Sequence, residues 1–135
     1  MADLPAAVTD THALLFHAAG TGLLGPRARK HYVACEDGQA LVYVPMAVIW
    51  ETTLLARAGR INLRRPVRGF FSDLFTNPAY QPYDLDADQV FDADEIRINR
   101  DPFDALVCAA TRALELPLIT RDADIRGSGA VRVIW

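Results

Sequence analysis

Short, nearly solid apolar segments alternate with longer helix-like segments along this chain. A clear example is Leu41–Val44, which ends at Pro45 and is followed by a helical pattern. Strands without apolar–polar alternation are typical of a parallel sheet that has helices packed on both faces. The sequence therefore predicts an α/β fold, a three-layer α/β/α sandwich with a central, mainly parallel sheet. No repeat or linker-like stretch divides the chain, so we expect a single domain over residues 1–135.

Caps and turn residues bound the predicted elements. Apolar or β-branched segments predict strands at residues 6–9, 41–44, 118–120 and 131–135. Residues 80–85 are an edge-strand candidate, because prolines bracket Tyr80 and Gln81 and cannot donate ladder hydrogen bonds. Capping residues, first-turn prolines and terminal glycines predict helices at residues 11–18, 26–37, 46–58, 66–75, 86–96 and 101–115.

The composition argues against several classes of protein. A net charge of −3 argues against a protein that mainly coats nucleic acid. No apolar run approaches the roughly 20 residues of a membrane span, so we expect no membrane partner. The start, Met1–Asp3, lacks the basic stretch of a signal peptide, which predicts a cytoplasmic protein. Cys35 and Cys108 lack metal-site spacing, and in that compartment we expect two free thiols.

Four acidic residues are placed by this fold at one edge of the sheet. Asp10 directly follows the first strand, and Asp122 follows the strand at 118–120. Asp104 lies in the first turn of its helix, and Glu51 lies within two turns of the helix after Leu41–Val44. Ligands of open parallel sheets bind beyond the carboxyl ends of the strands, near a topological switch point. The four carboxylates are therefore candidates for a shared site.

Each acid also has a purely structural interpretation. The helix dipole favours Asp104 in a first turn, and Asp10 and Asp122 are suitable turn residues that bond their own backbone. Glu51 shares a helix face with apolar residues, where a carboxylate needs a partner, a metal or access to solvent.

Together the four acids favour a metal site. Carboxylates at one edge repel one another unless a cation neutralises them, and oxygen ligands suit Mg²⁺ or Mn²⁺ better than zinc. Such an ion can activate a water for displacement at a phosphate. The sequence has no glycine-rich phosphate loop with its lysine, which argues against a P-loop nucleotide hydrolase.

Four motifs resemble, in order and spacing, those of PIN-domain ribonucleases. They are Thr9–Leu15, Val48–Glu51, Asp101–Leu106 and Leu118–Asp122. The phrase Asp-Pro-Phe-Asp at 101–104 is the most specific of them, and the resemblance covers nearly the whole chain. The length is similar to that of the VapC-like toxins of bacterial and archaeal toxin–antitoxin pairs.

The resemblance implies a Mg²⁺- or Mn²⁺-dependent endoribonuclease that acts on an RNA substrate. Members are usually homodimers held inactive by a small cognate antitoxin protein. By position, Asp10 and Asp104 are the principal metal ligands, and Glu51 and Asp122 complete the site directly or through water. Asp124 remains an alternative to Asp122, whereas Asp101 fits a helix cap better than a ligand.

Other residues have supporting roles in this hypothesis. The hydroxyls of Thr11 and Thr120 are candidates for contacts with a ligand carboxylate or substrate. The arginines after the helix of Glu51 form a candidate phosphate-binding segment, with Arg57 and Arg60 nearest to that helix. Trp50 and the aromatic group at 70–75 are expected to be buried rather than to stack on bases.

Two alternatives remain open at the level of sequence. A PIN-type nuclease that processes RNA without an antitoxin requires the same four acids. A binding or regulatory α/β domain requires none of them as ligands, because caps and solvated turns would explain each acid separately.

Overall fold

A computed structural model describes residues 3–135, and within that range the chain forms a five-stranded sheet and seven helices. The strands are β1 (Ala6–Thr9), β2 (Leu41–Pro45), β3 (Tyr80–Tyr83), β4 (Leu118–Ile119) and β5 (Val133–Ile134). The helices are α1 (Thr11–Ala19), α2 (Pro26–Glu36), α3 (Met46–Arg57), α4 (Val67–Leu74), α5 (Ala87–Ile96), α6 (Pro102–Leu114) and α7 (Ala123–Ser128). The predicted α/β class is confirmed.

All strand pairs in the described residues are parallel, and the strand order is β3-β2-β1-β4-β5. The chain thus builds outward from β1 on one side, through β2 and β3, and later returns to the other side as β4 and β5. Val8 in β1, Val42 in β2 and Leu118 in β4 are completely buried. Their burial on both faces of the sheet explains why the strand sequences are solidly apolar.

The helices begin where the sequence supplies caps. Asp10, Asp86, Asp101 and Asp122 each accept a backbone N–H of the helix that follows, which satisfies a donor that the first turn leaves open. Two helices, α2 and α6, begin with proline, whose missing N–H costs nothing there.

Gly25, just before α2, is required by a close approach of the chain. A Cβ atom at this position would lie 2.5 Å from the carbonyl oxygen of Trp135. That oxygen accepts the backbone N–H groups of Arg27 and Ala28, at 2.9 and 3.1 Å. Trp135 thus caps the amino end of α2, and only glycine leaves room for it.

Several sequence predictions can be compared with this structure. The strand at Tyr80–Tyr83 lies at the sheet edge as predicted, although it ends before residue 85. Cys35 and Cys108 are buried free thiols. Helix α7 was not predicted, because its six residues, Ala-Asp-Ile-Arg-Gly-Ser, include glycine and carry only one buried apolar side chain.

The prediction that Trp50 is buried is wrong. Half of the Trp50 surface is exposed. The Arg57 guanidinium, also in α3, lies 5.6 Å from the centre of the Trp50 ring. Among the three phenylalanines of the aromatic group, Phe71 is buried, and Phe70 and Phe75 are partly buried against the core.

In the described part of the chain, no helix has both the length and the apolar character needed to cross a membrane. The predicted absence of a signal peptide rests partly on residues 1 and 2, which lie outside the described range.

Candidate metal centre

The topological switch point of the sheet lies between β1 and β4. From β1 the chain proceeds to β2 on one side, whereas β4 pairs with β1 on the other side. Crossover connections diverge at such a point and leave a crevice at the carboxyl ends of the two strands. Asp10 follows β1 directly, and Asp122 lies three residues beyond the end of β4. These two predicted site residues therefore lie at the crevice.

One carboxylate oxygen of each of these acids is used as a helix cap. Asp10 Oδ1 accepts the Ala13 N–H at 2.9 Å, and Asp122 Oδ1 accepts the Ile125 N–H at 3.0 Å. The structural interpretation of both residues is thus correct, but it accounts for one oxygen only. Capping fixes the orientation of each carboxylate and leaves Oδ2 to serve a ligand.

Thr120 connects these two acids. Its hydroxyl oxygen accepts the backbone N–H of Asp122 at 3.0 Å, and the same side chain lowers the pKa of Asp10. Thr120 is completely buried, so its hydroxyl is held in one place. Burial raises the pKa of Asp10, and the bonds from Thr120 and Ala13 offset part of that increase.

Asp104 and Glu51 approach the crevice from two packed helices. Asp104 is in the first turn of α6, Glu51 is in the middle of α3, and the two helices pack against each other. Asp101 caps α6 and accepts the N–H groups of Phe103 and Asp104, as its predicted role requires.

Electrostatic coupling shows that the four predicted acids share one environment. The pKa of Asp104 is raised to about 6, first by burial and then by the negative charges of Asp101, Asp122 and Glu51. Asp122 also raises the pKa of Asp10. Within residues 3–135, the ion pairs of Arg and His side chains all involve other carboxylates. The charge of His12 partly offsets the raised pKa of Asp10.

Among the described residues, no three His, Cys, Asp or Glu side chains lie close enough together to form a complete set of metal ligands. Magnesium does not need such a cage, because it commonly binds through one or two carboxylates and retains several waters. The arrangement therefore suits a hydrated ion held at the crevice.

Asn99 is a polar residue of this site that the sequence analysis missed. It lies in the loop between α5 and α6, and its side-chain nitrogen donates to Asp104 Oδ2 at 2.8 Å and to Asp124 Oδ2 at 3.5 Å. The available signal was its position two residues before the helix cap Asp101, where asparagine commonly forms a turn. Its contact with Asp124 depends on the tertiary fold.

The remaining predicted residues have distinct positions. Thr11 is buried in the first turn of α1, and its hydroxyl is the one buried side-chain polar atom in residues 3–135 without a hydrogen-bond partner. Arg57 ends α3 beside Trp50, and Arg60 is exposed in the following loop. Arg65, in the same basic segment, is paired with Asp73 at 2.5 Å.

An apolar groove of about 640 Å³ lies beside α1. His12, two residues after Asp10, is among its lining residues. Phe16 lines it further along α1, and the Arg121 guanidinium lies 4.7 Å from the centre of the Phe16 ring. Its opposite wall is the loop between α3 and α4, residues 61–64.

Three solved complexes resemble this fold. The DNA-bound VapBC2 complex of Rickettsia felis has a chain with a TM-score of 0.67 and 10% identity, over 95% of this chain and 96% of that one. A DNA-bound VapBC of Salmonella typhimurium gives 0.65 and 14%, over 97% of both chains. A toxin–antitoxin complex from Klebsiella pneumoniae gives 0.63 and 18%, over 96% of both. At these identities the similarity shows the fold alone.

Sequence comparison gives the family. No curated protein matches the chain in a sequence search. The family model described as PIN domain matches residues 7–128, a range that begins within β1 and ends with α7. That range contains all four predicted acids and the switch point between β1 and β4. The chain therefore belongs to the PIN domain family, whose members are nucleases.

Proposed function

We propose that this protein is a Mg²⁺- or Mn²⁺-dependent endoribonuclease and the toxin of a toxin–antitoxin pair, working in the cytoplasm as a single PIN domain. One observation carries the proposal: Asp10, Glu51, Asp104 and Asp122 share the switch-point crevice of a PIN domain, and among the described residues none of them forms an ion pair. Acids that served only as caps would not need to be mutually close.

The side chains present fit a divalent ion. Asp10 and Asp104 would be its principal ligands, with Glu51 and Asp122 bound directly or through water. All donors are oxygens, which suits Mg²⁺ and Mn²⁺. The unpartnered hydroxyl of Thr11, one residue after Asp10, would be satisfied by a water of the hydrated ion. When bound, the ion supplies an activated water and neutralises charge on the phosphate.

The protein's own groups orient this site. Thr120 and the Ala13 N–H hold the Asp10 carboxylate in one direction, and the Ile125 N–H does the same for Asp122. Preorganised carboxylates need no rearrangement at the moment of reaction. In the metal-free protein the pKa of Asp104 is about 6, and the proton it carries below that pH would be released when an ion binds.

RNA is the proposed substrate, and the basic segment after α3 is its proposed phosphate contact. Arg57 and Arg60 are exposed and follow directly from the helix that carries Glu51. Arg65 is less available, because it also donates to the Gly69 carbonyl oxygen at 3.0 Å. A few phosphate contacts of this kind position a strand without specifying its sequence.

The apolar groove beside α1 is the proposed site of a small cognate antitoxin. An exposed groove walled by Leu15, Phe16 and Phe70 suits an amphipathic segment with apolar anchors. A segment seated there would pass His12 and reach the crevice, which would block the substrate. The similar complexes of Rickettsia felis and Klebsiella pneumoniae are described as VapBC and toxin–antitoxin assemblies, which supports this partner class. We also propose a homodimer.

Two aspartate-to-asparagine substitutions test the catalytic proposal. Asp10→Asn and Asp104→Asn should each lower Mg²⁺-dependent RNA cleavage by orders of magnitude, because the ligand charge is lost. An asparagine at position 10 can still cap α1, and Asp101 still caps α6 in Asp104→Asn. Asp86→Asn is the matched control, since Asp86 caps α5 at 2.9 Å as Asp10 caps α1. Circular dichroism would verify the fold of all three variants. Unchanged cleavage by Asp10→Asn would contradict the site.

Two further measurements separate the alternatives. A Mn²⁺ titration without saturable binding would favour a binding or regulatory domain. Expression with and without the product of a neighbouring small reading frame, followed by mapping of cleaved RNA ends, separates a toxin from a processing nuclease. A toxin should arrest growth only when it is expressed alone.

A further inference from the structure

Asn99 makes three hydrogen bonds that join three parts of the crevice. Its side-chain oxygen accepts the backbone N–H of Asp101 at 2.8 Å. Its side-chain nitrogen donates to Asp104 Oδ2 at 2.8 Å and, at a longer 3.5 Å, to Asp124 Oδ2. One side chain thus connects the loop before α6 with the first turns of α6 and α7.

The orientation of this amide is fixed by its surroundings. The Asp101 N–H is a donor only, so the amide atom beside it must be the oxygen. The NH₂ group consequently faces the two carboxylates, where both of its hydrogens have acceptors. Asn99 is partly buried, which further restricts its rotamers.

The other asparagines show that this arrangement exceeds what a turn requires. Asn62 accepts the N–H of Arg64 at 2.8 Å, and Asn77 accepts the N–H of Ala79 at 3.0 Å. All three asparagines therefore form the same turn with the residue two positions on. Among the described residues, Asn99 is the one whose nitrogen donates to two carboxylates in addition, whereas Asn77 lowers the pKa of a single acid, Glu36.

We propose that Asn99 is a positioning residue of the metal centre, which holds the Asp104 carboxylate by Oδ2 and aligns it for a divalent ion. This inference rests on the proposed function, because it assigns Asp104 a metal. In residues 3–135, no hydrogen bond occupies Asp104 Oδ1, so that oxygen is left for the ion. Asp124 is drawn toward the same site through the second N–H of Asn99.

The physical reason is that acidic side chains repel one another when the fold brings them close together. Asp104 is surrounded by other negative charges and is partly removed from water. Asn99 is the main group that opposes this, since its hydrogen bond favours the charged form of the carboxylate. Groups that hold a metal ligand in place from behind typically change metal affinity roughly 10- to 100-fold when they are removed.

Asn99→Ser tests the proposal by separating the turn from the donor. The serine oxygen can still accept the Asp101 N–H, but its shorter side chain cannot reach Asp104. We expect Mn²⁺ affinity, measured by calorimetry on the folded protein, to fall roughly 10- to 100-fold. The metal-free unfolding temperature should change little. Asn99→Thr, which also keeps the turn, is a second variant with the same expected result.

Asn77→Ser is the matched control. It alters the same kind of turn before the edge strand β3, where the acid that Asn77 affects is Glu36 and not one of the four site acids. Its Mn²⁺ affinity should equal that of the unaltered protein, even if its unfolding temperature falls. If the role of Asn99 were purely structural, Mn²⁺ affinity would be unchanged in both variants, and only the unfolding temperature would fall.

The outcomes distinguish the two proposals. If the unaltered protein binds Mn²⁺ and Asn99→Ser binds it equally well, the role of Asn99 is overturned and the proposed function stands. If the unaltered protein binds no Mn²⁺, the proposed function and the role of Asn99 both fail. Weakened binding in Asn99→Ser with unchanged binding in Asn77→Ser supports the assignment.

Discussion

Asp10 and Asp122 follow two neighbouring strands, at one and three residues beyond the strand ends, and the carboxylate of each accepts the N–H three residues further on. The two capping distances are 2.9 and 3.0 Å, and the buried Thr120 accepts the backbone N–H of Asp122 and lowers the pKa of Asp10. Each acid thus begins a helix with one oxygen and faces the crevice with the other. The same side chain is both a helix cap and a candidate metal ligand, so the capping bond holds the candidate ligand in a fixed orientation.

The raised pKa values predict how metal-free stability depends on pH. Burial, followed by the charges of neighbouring acids, raises the pKa of Asp104 to about 6, against about 4 in an unfolded chain. Between these values the folded state binds more protons than the unfolded state. The free energy of unfolding should therefore decrease as pH rises from about 4 through 6.

Thermal unfolding in EDTA across this pH range checks the prediction. Asp104→Asn should flatten the slope, because the titrating group is gone, and Asp86→Asn should not. Saturating Mn²⁺ should reverse the trend, since the ion competes with protons for the same carboxylates. An unfolding temperature that increases from pH 4 to 6 without metal would contradict the assignment.

The choice between Asp122 and Asp124 can be tested directly. Asp122 raises the pKa of both Asp10 and Asp104, which places its charge at the centre of the acidic group. Asp124 contacts the group through Asn99 at 3.5 Å. Asp122→Asn should therefore weaken Mn²⁺ binding and RNA cleavage more than Asp124→Asn does. The reverse order would make Asp124 the fourth acid.

If the antitoxin binds in the groove beside α1, a substitution there should weaken antitoxin binding and leave catalysis unchanged. Ala19 lines the groove and is exposed, so Ala19→Glu introduces charge where the antitoxin needs an apolar contact. Co-purification with the neighbouring gene product should be lost, while Mn²⁺ binding and RNA cleavage are retained. Ala87→Glu, at an exposed alanine in the first turn of α5, is the matched control. Retained antitoxin binding by Ala19→Glu would exclude this groove.

Gly25 predicts an effect on stability. Gly25→Ala would place a Cβ atom 2.5 Å from the Trp135 carbonyl oxygen, so the cap of α2 must move. We expect a loss of about 1–3 kcal/mol in the free energy of unfolding, measured with urea. Gly127→Ala, in α7 with nothing within 4 Å of the added atom, should instead stabilise by up to about 1 kcal/mol. Equal effects of the two substitutions would contradict the packing argument.

Most of the fold was predictable because local signals and tertiary structure agree. The strand at Leu41–Pro45 has solid apolar character and ends at proline, and the helix at Pro102–Leu114 begins with a cap and proline. The observed bounds of both differ from the predicted ones by a single residue at each end or less. The edge position of β3 was predicted from its prolines, because proline has no N–H group to donate to a neighbouring strand.

The remainder depends on contacts that local sequence does not encode. Trp50 has the character of a core residue, but half of its surface is exposed and the Arg57 guanidinium packs over its ring. Asn99 has an ordinary turn pattern, and its second role appears only when α6 and α7 are brought together. The grouping of the four acids was predicted from sheet topology, whereas their assignment as metal ligands stays a prediction.

The order of strands in the sheet also determines when the crevice can exist. Asp10 lies near one end of the described chain and Asp122 near the other, and they meet only when β4 pairs with β1. Contacts between such distant segments form late, because a long loop must close first. A chain still on the ribosome without its β4 segment has no complete acidic group. The acidic group of this protein is therefore complete only after the β4 segment has emerged and paired with β1.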